Sequence, residues 1–471
     1  MIEDGSARRL AAGMMMVGFE GTEVPRTLAE RIAEGLGGVI YFSRNVRDRE
    51  QVRRLSERLH ALSPDPPLFI AVDQEGGDVV RLEDGFSTFP AAMAFGAIGD
   101  ESLAEACAMA MARELRSVGI NMNLAPVLDV NTNPDNPVIG ARSYSDDPRL
   151  VARMGAAAVR GYGRGGVLAV AKHFPGHGGT NLDSHEILPV VPRVRDIDLD
   201  PFRRGMSAGL GAIMTAHVAF SSFSDLPATL SPEILTGLLR EEMGFQGMIL
   251  TDCMEMSAVG GRLRSGEGAV RAIAAGADMV LFSHTLSVQR RVLDALTDAI
   301  QKGRLPRERV FQSAARIRAL RKAIPGEVAP ISGEGPSPRE VATRAVTQIR
   351  GEGLFPLPGA TGRIPRRERG KGWEVTAPTE AIAGRVATWC PGARVVLSTG
   401  ERGILLFRRG AGTAYESAAF SLRGPYALRP HAHRAGLACT YDSSGPSVSA
   451  AMDFLFRGAV APGRLPVEWG S

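Results

Sequence analysis

Histidines, carboxylates and glycines crowd into one stretch of the chain, Lys172-His173-Phe174-Pro175-Gly176-His177-Gly178-Gly179-Thr180-Asn181-Leu182-Asp183-Ser184-His185. Asp183 and His185 are two apart, so in an extended turn both can approach one point. A carboxylate bonded to one imidazole nitrogen fixes the ring's tautomer and makes it more basic, as a proton shuttle requires. The glycines and proline in the middle suit a loop with unusual backbone angles. Lys172 and His173 can donate hydrogen bonds to hydroxyls. Earlier, Asp73-Gln74-Glu75-Gly76-Gly77 is followed by Arg81, and Ile139-Gly140-Ala141 leads to Arg142 and Ser143. An acceptor at Asp73 with donors at Arg81 and Arg142 suits a polyhydroxylated ligand such as a sugar. Taken alone, Asp73 is also readable as the salt-bridge partner of an arginine.

These groups share a position in the local pattern. Each follows a short apolar run with the character of a strand buried on both faces. The runs are Met14–Phe19, Gly38–Phe42, Leu68–Val72, Ile120–Ala125, Val167–Ala171, Ala212–Thr215, Met248–Thr251 and Met279–Phe282. Between them, Asp48–Leu62, Glu101–Val118, Pro148–Arg164 and Pro232–Met243 carry apolar residues at helical spacing. Eight such alternations predict an α/β fold, a (β/α)8 TIM-type barrel, in which reacting groups sit at the carboxyl ends of strands. An open doubly wound sheet is the competing arrangement, but no glycine-rich dinucleotide fingerprint follows the first strand. Five of the eight histidines (His173, His177, His185, His217 and His284) fall just past a strand run. Asp252 does too.

Ile324-Pro325-Gly326 and Gly333-Glu334-Gly335-Pro336-Ser337-Pro338 interrupt the pattern. The expected division is a barrel over 1–325, a linker over 326–338 and a smaller α/β sandwich-like domain over 339–471. In that domain Arg394–Leu397 and Gly403–Phe407 are strand candidates and Ser447–Phe456 a helix candidate. Arg363–Lys371 is a basic loop to which no chemistry is assigned.

Composition narrows the partners. The chain has 471 residues, 44% of them hydrophobic and only 6% aromatic, with a net charge of +4. The basic residues are mostly arginine and scattered, so no nucleic-acid face is expected. The four cysteines have no paired spacing and suggest neither a disulfide framework nor a zinc site. No run reaches the length of a membrane span and the start lacks a signal-peptide pattern. The expectation is a cytoplasmic protein with no membrane partner, a monomer or weak oligomer.

The motifs together resemble glycoside hydrolase family 3, specifically its bacterial β-N-acetylglucosaminidases. The carriers are Lys172–Gly178 with Asp183-Ser184-His185, Asp73–Gly77, Ile139–Tyr144, and Gly247-Met248-Ile249-Leu250-Thr251-Asp252, across about residues 10 to 320. Glu340–Leu357 and Gly463–Val467 look like the two ends of the sandwich domain of longer members. The resemblance implies Asp252 as nucleophile, His185 as general acid/base oriented by Asp183, and Asp73, Arg81, Arg142, Lys172 and His173 as holders of a terminal N-acetylglucosamine. It implies no cofactor and no metal, and a substrate drawn from peptidoglycan fragments or related oligosaccharides. His177 is expected to shape the loop. Cys253 departs from the aspartate that many members carry there and is expected to be non-catalytic. Phosphorolysis in place of hydrolysis, and a sugar-binding protein without catalysis, are the alternatives; a zinc cluster of His173, His177, Asp183 and His185 fits no ligand signature.

Overall fold

All eight apolar runs form strands: β1 (Met15–Val17), β2 (Gly38–Tyr41), β3 (Phe69–Val72), β4 (Met122–Asn123), β5 (Leu168–Phe174), β6 (Ala212–Thr215), β7 (Met248–Cys253) and β8 (Met279–Phe282). In the computed structural model they pair in parallel and in sequence order, and β8 closes on β1. The result is the predicted (β/α)8 barrel. The structure describes residues 4–63, 65–184, 186–256, 266–325 and 335–350, and beyond these 373–377, 394–397, 404–411, 414–422, 425–426, 428, 436–442, 444–457 and 459–468.

Strand composition explains the closure. Residues of β1, β2, β3, β6 and β8 are buried throughout, as Val, Ile, Met, Leu and Phe demand when both faces of a sheet are covered. The helices start where their caps stand. Asp48 accepts from the backbone N–H of Gln51, Asp100 from that of Leu103 and Asp147 from that of Arg149, starting helices Arg49–Leu62, Glu101–Ser117 and Pro148–Arg164. The segment expected as a helix over Pro232–Met243 is a π-helix, Glu233–Glu242.

β5 and β7 run further than the apolar runs suggest, and both are irregular at that end. From Ala171 to Phe174, β5 advances three residues while β6 advances two, from Ile213 to Thr215. From Leu250 to Cys253, β7 does the same against Met279 to Leu281 of β8. An extra residue of this kind re-aims the side chains around it. Lys172, His173 and Asp252 all lie within these two offsets.

The later residues form a mixed six-stranded sheet of β9 (Thr347–Arg350), β10 (Trp373–Ala377), β11 (Arg394–Leu397), β12 (Ile404–Ala411), β13 (Ala414–Ser421) and β14 (Gly436–Cys439), in the order β9-β14-β13-β12-β10-β11. Helix Gly445–Arg457 matches the predicted one. Helix Pro338–Ala345 begins at the residue where the linker was expected to end, with proline in the first turn where its missing N–H costs nothing. Arg363–Lys371 and Leu354–Leu357 lie outside the described residues. Among the described residues no helix is long and apolar enough to cross a membrane.

At the amino end of β8, Asp278 is fully buried. It accepts from the backbone N–H of Ile249 at 2.9 Å and the hydroxyl of Ser313 at 2.8 Å, and pairs with Arg240, Arg309 and Arg316. This end of a barrel serves stability rather than chemistry. Asp278→Ala leaves three partly buried guanidinium groups uncompensated. It is expected to cost about 3–5 kcal/mol of unfolding free energy, read from urea denaturation, with kcat of the remaining folded protein unchanged.

Candidate active site

Above the carboxyl ends of the strands lies a cavity of about 420 Å³. Its wall includes Asp73, Glu75, Arg81, Arg142, Lys172, His173, His177, Ser184, Asp252, Cys253, Glu255 and His284. Four of the segments singled out in the sequence therefore meet at one place.

Glu75 and Lys172 form the buried centre of one wall. The Glu75 carboxylate takes both guanidinium donors of Arg142, Nε and an Nη, at 2.8 Å each, and stands 2.7 Å from Lys172 Nζ. The same ammonium donates to Asp73 at 2.8 Å. Burial alone would raise the Glu75 pKa, but Arg142 and Lys172 outweigh it and hold the carboxyl far below the usual carboxylate range. Burial would lower the Lys172 pKa, but Asp73 and Glu75 more than offset it and keep the amine protonated. Arg81 approaches Asp73 only to 3.9 Å, and its Nε is buried with no hydrogen-bond partner. Gln74 fixes the segment by accepting from the backbone N–H groups of Arg81 and Leu82 and donating to the Leu82 carbonyl.

Asp129 organises the next wall from beneath. It is fully buried and binds His173 Nδ1 at 2.7 Å and the backbone N–H of His177 at 2.7 Å. Burial opposes its charge, yet His173 and His177 hold its pKa below the ordinary value. The carboxylate can only accept, so His173 carries its proton on Nδ1. The peptide bond between Lys172 and His173 is cis.

Past β5 the loop folds back on itself around His177. The imidazole bonds Thr180 Oγ1 through Nδ1 and Ser184 Oγ through Nε2, both at 2.9 Å. Burial, with His173 adding to it, pushes its pKa down to about 4. A Cβ on Gly178 would lie 2.0 Å from the Val130 carbonyl oxygen, so here glycine is required by close approach. Gly176 supplies a positive φ of 145°. The carbonyl of Asp183 accepts from the N–H groups of Glu186 and Ile187, both at 3.0 Å.

Opposite, Asp252 Oδ1 accepts from the N–H of Cys253 at 2.7 Å. Burial would raise its pKa, but His217, His173, that N–H and Lys172 together hold it below the usual value. Asp252 is thus a carboxylate at neutral pH. His217 Nε2 lies 3.0 Å from the Cys253 carbonyl, which can only accept, and its Nδ1 meets Thr229. The Cys253 thiol rests 2.8 Å from Ser283 Oγ, and burial raises its pKa to about 11. Among the described residues no group of three or more His, Cys, Asp or Glu side chains is placed to hold a metal ion.

Residues 11–320 match the glycosyl hydrolase family 3 N terminal domain. The chain belongs to glycosyl hydrolase family 3. By that membership it is a glycoside hydrolase, and its substrate is a carbohydrate. Beta-hexosaminidase A of Pseudoalteromonas piscicida is 35% identical over 379 residues, covering 71% of this chain and 63% of that protein, less than two thirds of its length. A beta-hexosaminidase of Alkalilimnicola ehrlichii is 40% identical over 61% of this chain and 85% of its own. Among solved structures, a family 3 beta-N-acetylglucosaminidase from Paenibacillus is similar over 98% of both chains, with a TM-score of 0.81 and 32% identity.

Of the residues the sequence singled out, Asp73, Arg81, Arg142, Lys172, His173 and Asp252 all line the cavity. Arg142 does so with its guanidinium committed to Glu75. Ser184 lines it as well, between Asp183 and His185; His185 itself lies outside the described residues. Two carboxylates were missed as site residues. Glu75 sits inside a quoted motif, two positions after Asp73, but was given no task. Asp129 follows the fourth strand run, and the strand-end rule that selected Asp73 and Asp252 selects it equally.

Glu75→Gln leaves the half-buried Arg142 guanidinium without its carboxylate and the buried Lys172 with Asp73 alone. It is expected to lower kcat/KM at least about tenfold, since ion-pair members that place binding groups are worth more than 1.4 kcal/mol; steady-state kinetics on an aryl N-acetylglucosaminide measure it. His177 provides a pH prediction. Its folded pKa of about 4 lies below the ordinary imidazole value of 6.5. Between these values the unfolded chain binds the extra proton, so stability is complete above pH 6.5 and declines as the pH falls towards 4. In His177→Gln that portion of the acid-side decline should vanish, as measured by denaturation midpoints from pH 7 to pH 4.

Proposed function

We propose that the chain is a retaining exo-β-N-acetylglucosaminidase working through a covalent glycosyl-Asp252 ester. The observation that carries this reading is an ionised, half-buried Asp252 facing a cavity whose other walls present Asp73, Lys172, His173 and Arg81. Retaining hydrolysis needs a nucleophile and an acid on opposite sides of the glycosidic bond. Asp252 attacks the anomeric carbon. His185 gives its proton to the departing oxygen, and Asp183 supports the imidazolium before transfer. Neutral His185 then takes a proton from water, whose oxygen opens the ester and releases the sugar and free Asp252. Asp73, Lys172, His173 and Arg81 hold the hydroxyls of the terminal sugar, while Arg142 acts on it through Glu75. Cys253 takes no part, its thiol being protonated throughout the neutral range.

The choice of N-acetylglucosamine rests on family 3 membership and on the named activities of the Paenibacillus, Pseudoalteromonas and Alkalilimnicola proteins. The natural substrate is read as N-acetylglucosamine β-linked in a peptidoglycan fragment, met in the cytoplasm. A 2-fluoro glycoside with a good leaving group is expected to add the mass of one sugar to a peptide containing Asp252. Asp252→Ala should lose activity about a thousandfold or more and take no label. A label on another residue, or none in an active enzyme, overturns the assignment. Sugar-1-phosphate in phosphate buffer would instead show that phosphate replaces water in the second step.

A further inference from the structure

The barrel does not hold its two binding loops alone. We infer that the C-terminal unit is a positioning element of the active site, acting through Asp442 on the loop after β3 and through residues 463–468 on the loop after β4. The inference rests on the reading of Asp73 and Arg81 as sugar-binding groups.

The first contact begins at Asp442, which is fully buried. Its Oδ2 accepts from the backbone N–H of Ala91 at 2.9 Å, and its Oδ1 from the N–H of Ser444 at 2.9 Å. Ala91 in turn lies against Gly77. A Cβ on Gly77 would fall 2.6 Å from that of Ala91, and Gly77 has a φ of +59° that favours glycine. The N–H of Gly77 donates to the Phe89 carbonyl at 2.8 Å. Gly77 lies in the turn from Glu75 to Val79, closed by a 2.9 Å bond from the Glu75 N–H to the Val79 carbonyl. Glu75 opens this turn, and Asp73 and Arg81 flank it two residues to either side. A shift of Ala91 therefore passes through backbone contact to all three.

The second contact is made by the last described segment. The Ser145 hydroxyl donates to the Pro466 carbonyl, and the N–H of Glu468 donates to Asp146 at 2.8 Å. The N–H of Arg464 reaches the Ala97 carbonyl at 2.9 Å. The Ser145 carbonyl accepts from Asn131, and Ser143 Oγ bridges it to the Asp129 carbonyl at 2.6 Å. Asp129 is the carboxylate that fixes the His173 ring. An apolar contact seals the junction: Met93, Ala94 and Ala97 of the barrel pack with Leu428, Tyr441 and Val467. The bonds made by Asp442, Ser143 and Ser145 are buried and directional and so locate a loop, whereas exposed charge pairs add little.

The test uses the full chain and an aryl N-acetylglucosaminide. Asp442→Ala removes the acceptor for Ala91 and touches no group in the cavity. Loss of ground-state binding appears mainly in KM, so KM should rise at least about fivefold with kcat changed less than about threefold. Amide exchange over residues 74–91 should quicken at the same time. Arg339→Ala removes an exposed ion pair to Asp453 inside the C-terminal unit and should leave KM unchanged, separating positioning from general stability. If Asp442→Ala does not fold, Asp146→Ala puts the same question to the second loop, where the KM rise is again expected. A wild-type KM in the folded variant overturns the inference. Asp73→Ala, assayed in parallel, tells whether the sugar-binding reading falls with it.

Discussion

The binding wall depends on one buried carboxylate. Glu75 is almost inaccessible, yet it is ionised because Arg142 and Lys172 close on it from two sides. Ion pairs this deep repay their desolvation only when geometry and hydrogen bonding are complete. Here the guanidinium is bidentate and the ammonium is shared with Asp73. The three segments that supply these groups come from β3, β4 and β5, so a small displacement of any one leaves an unpaired charge in the interior. That requirement locks the loops into one arrangement, and the sugar-facing groups inherit their positions from it. Asp129 does the same one step deeper, tying the His173 ring and the start of the His177 loop to the segment after β4.

The barrel supplies the other half of the constraint. Eight parallel strands point every carboxyl end the same way, which gathers residues far apart in sequence without long excursions. Where β5 and β7 carry Lys172, His173 and Asp252, their register slips by one residue against the next strand. Regular pleating alternates side chains between the two faces; an added residue lets neighbouring positions serve the cavity together. Asp278 and its arginines tie down the opposite end, leaving the carboxyl end to chemistry.

Much of this was legible in the sequence. The Ala212–Thr215 and Met279–Phe282 strands and the Pro148–Arg164 helix match their apolar patterns residue for residue. Six polar residues picked from strand ends line one cavity. What pattern alone misjudged was partnership. Arg142 reads as a donor for a sugar until Glu75 is seen occupying its guanidinium. Gly178 reads as a residue of unusual backbone angle until Val130 is found pressed against it.

The sequence by itself determined the alternation of strand and helix, the carboxyl-end placement of the reactive groups and the family. Those follow from local periodicity and from motifs read within one segment. Only the tertiary structure decided which charges neutralise one another, which nitrogen of His173 holds the proton, and that Asp442 and residues 463–468 lie behind the binding loops. These are contacts between residues tens to hundreds of positions apart. No local pattern encodes them, because an ion pair or a shared hydrogen bond exists only once the chain has brought both partners out of water together.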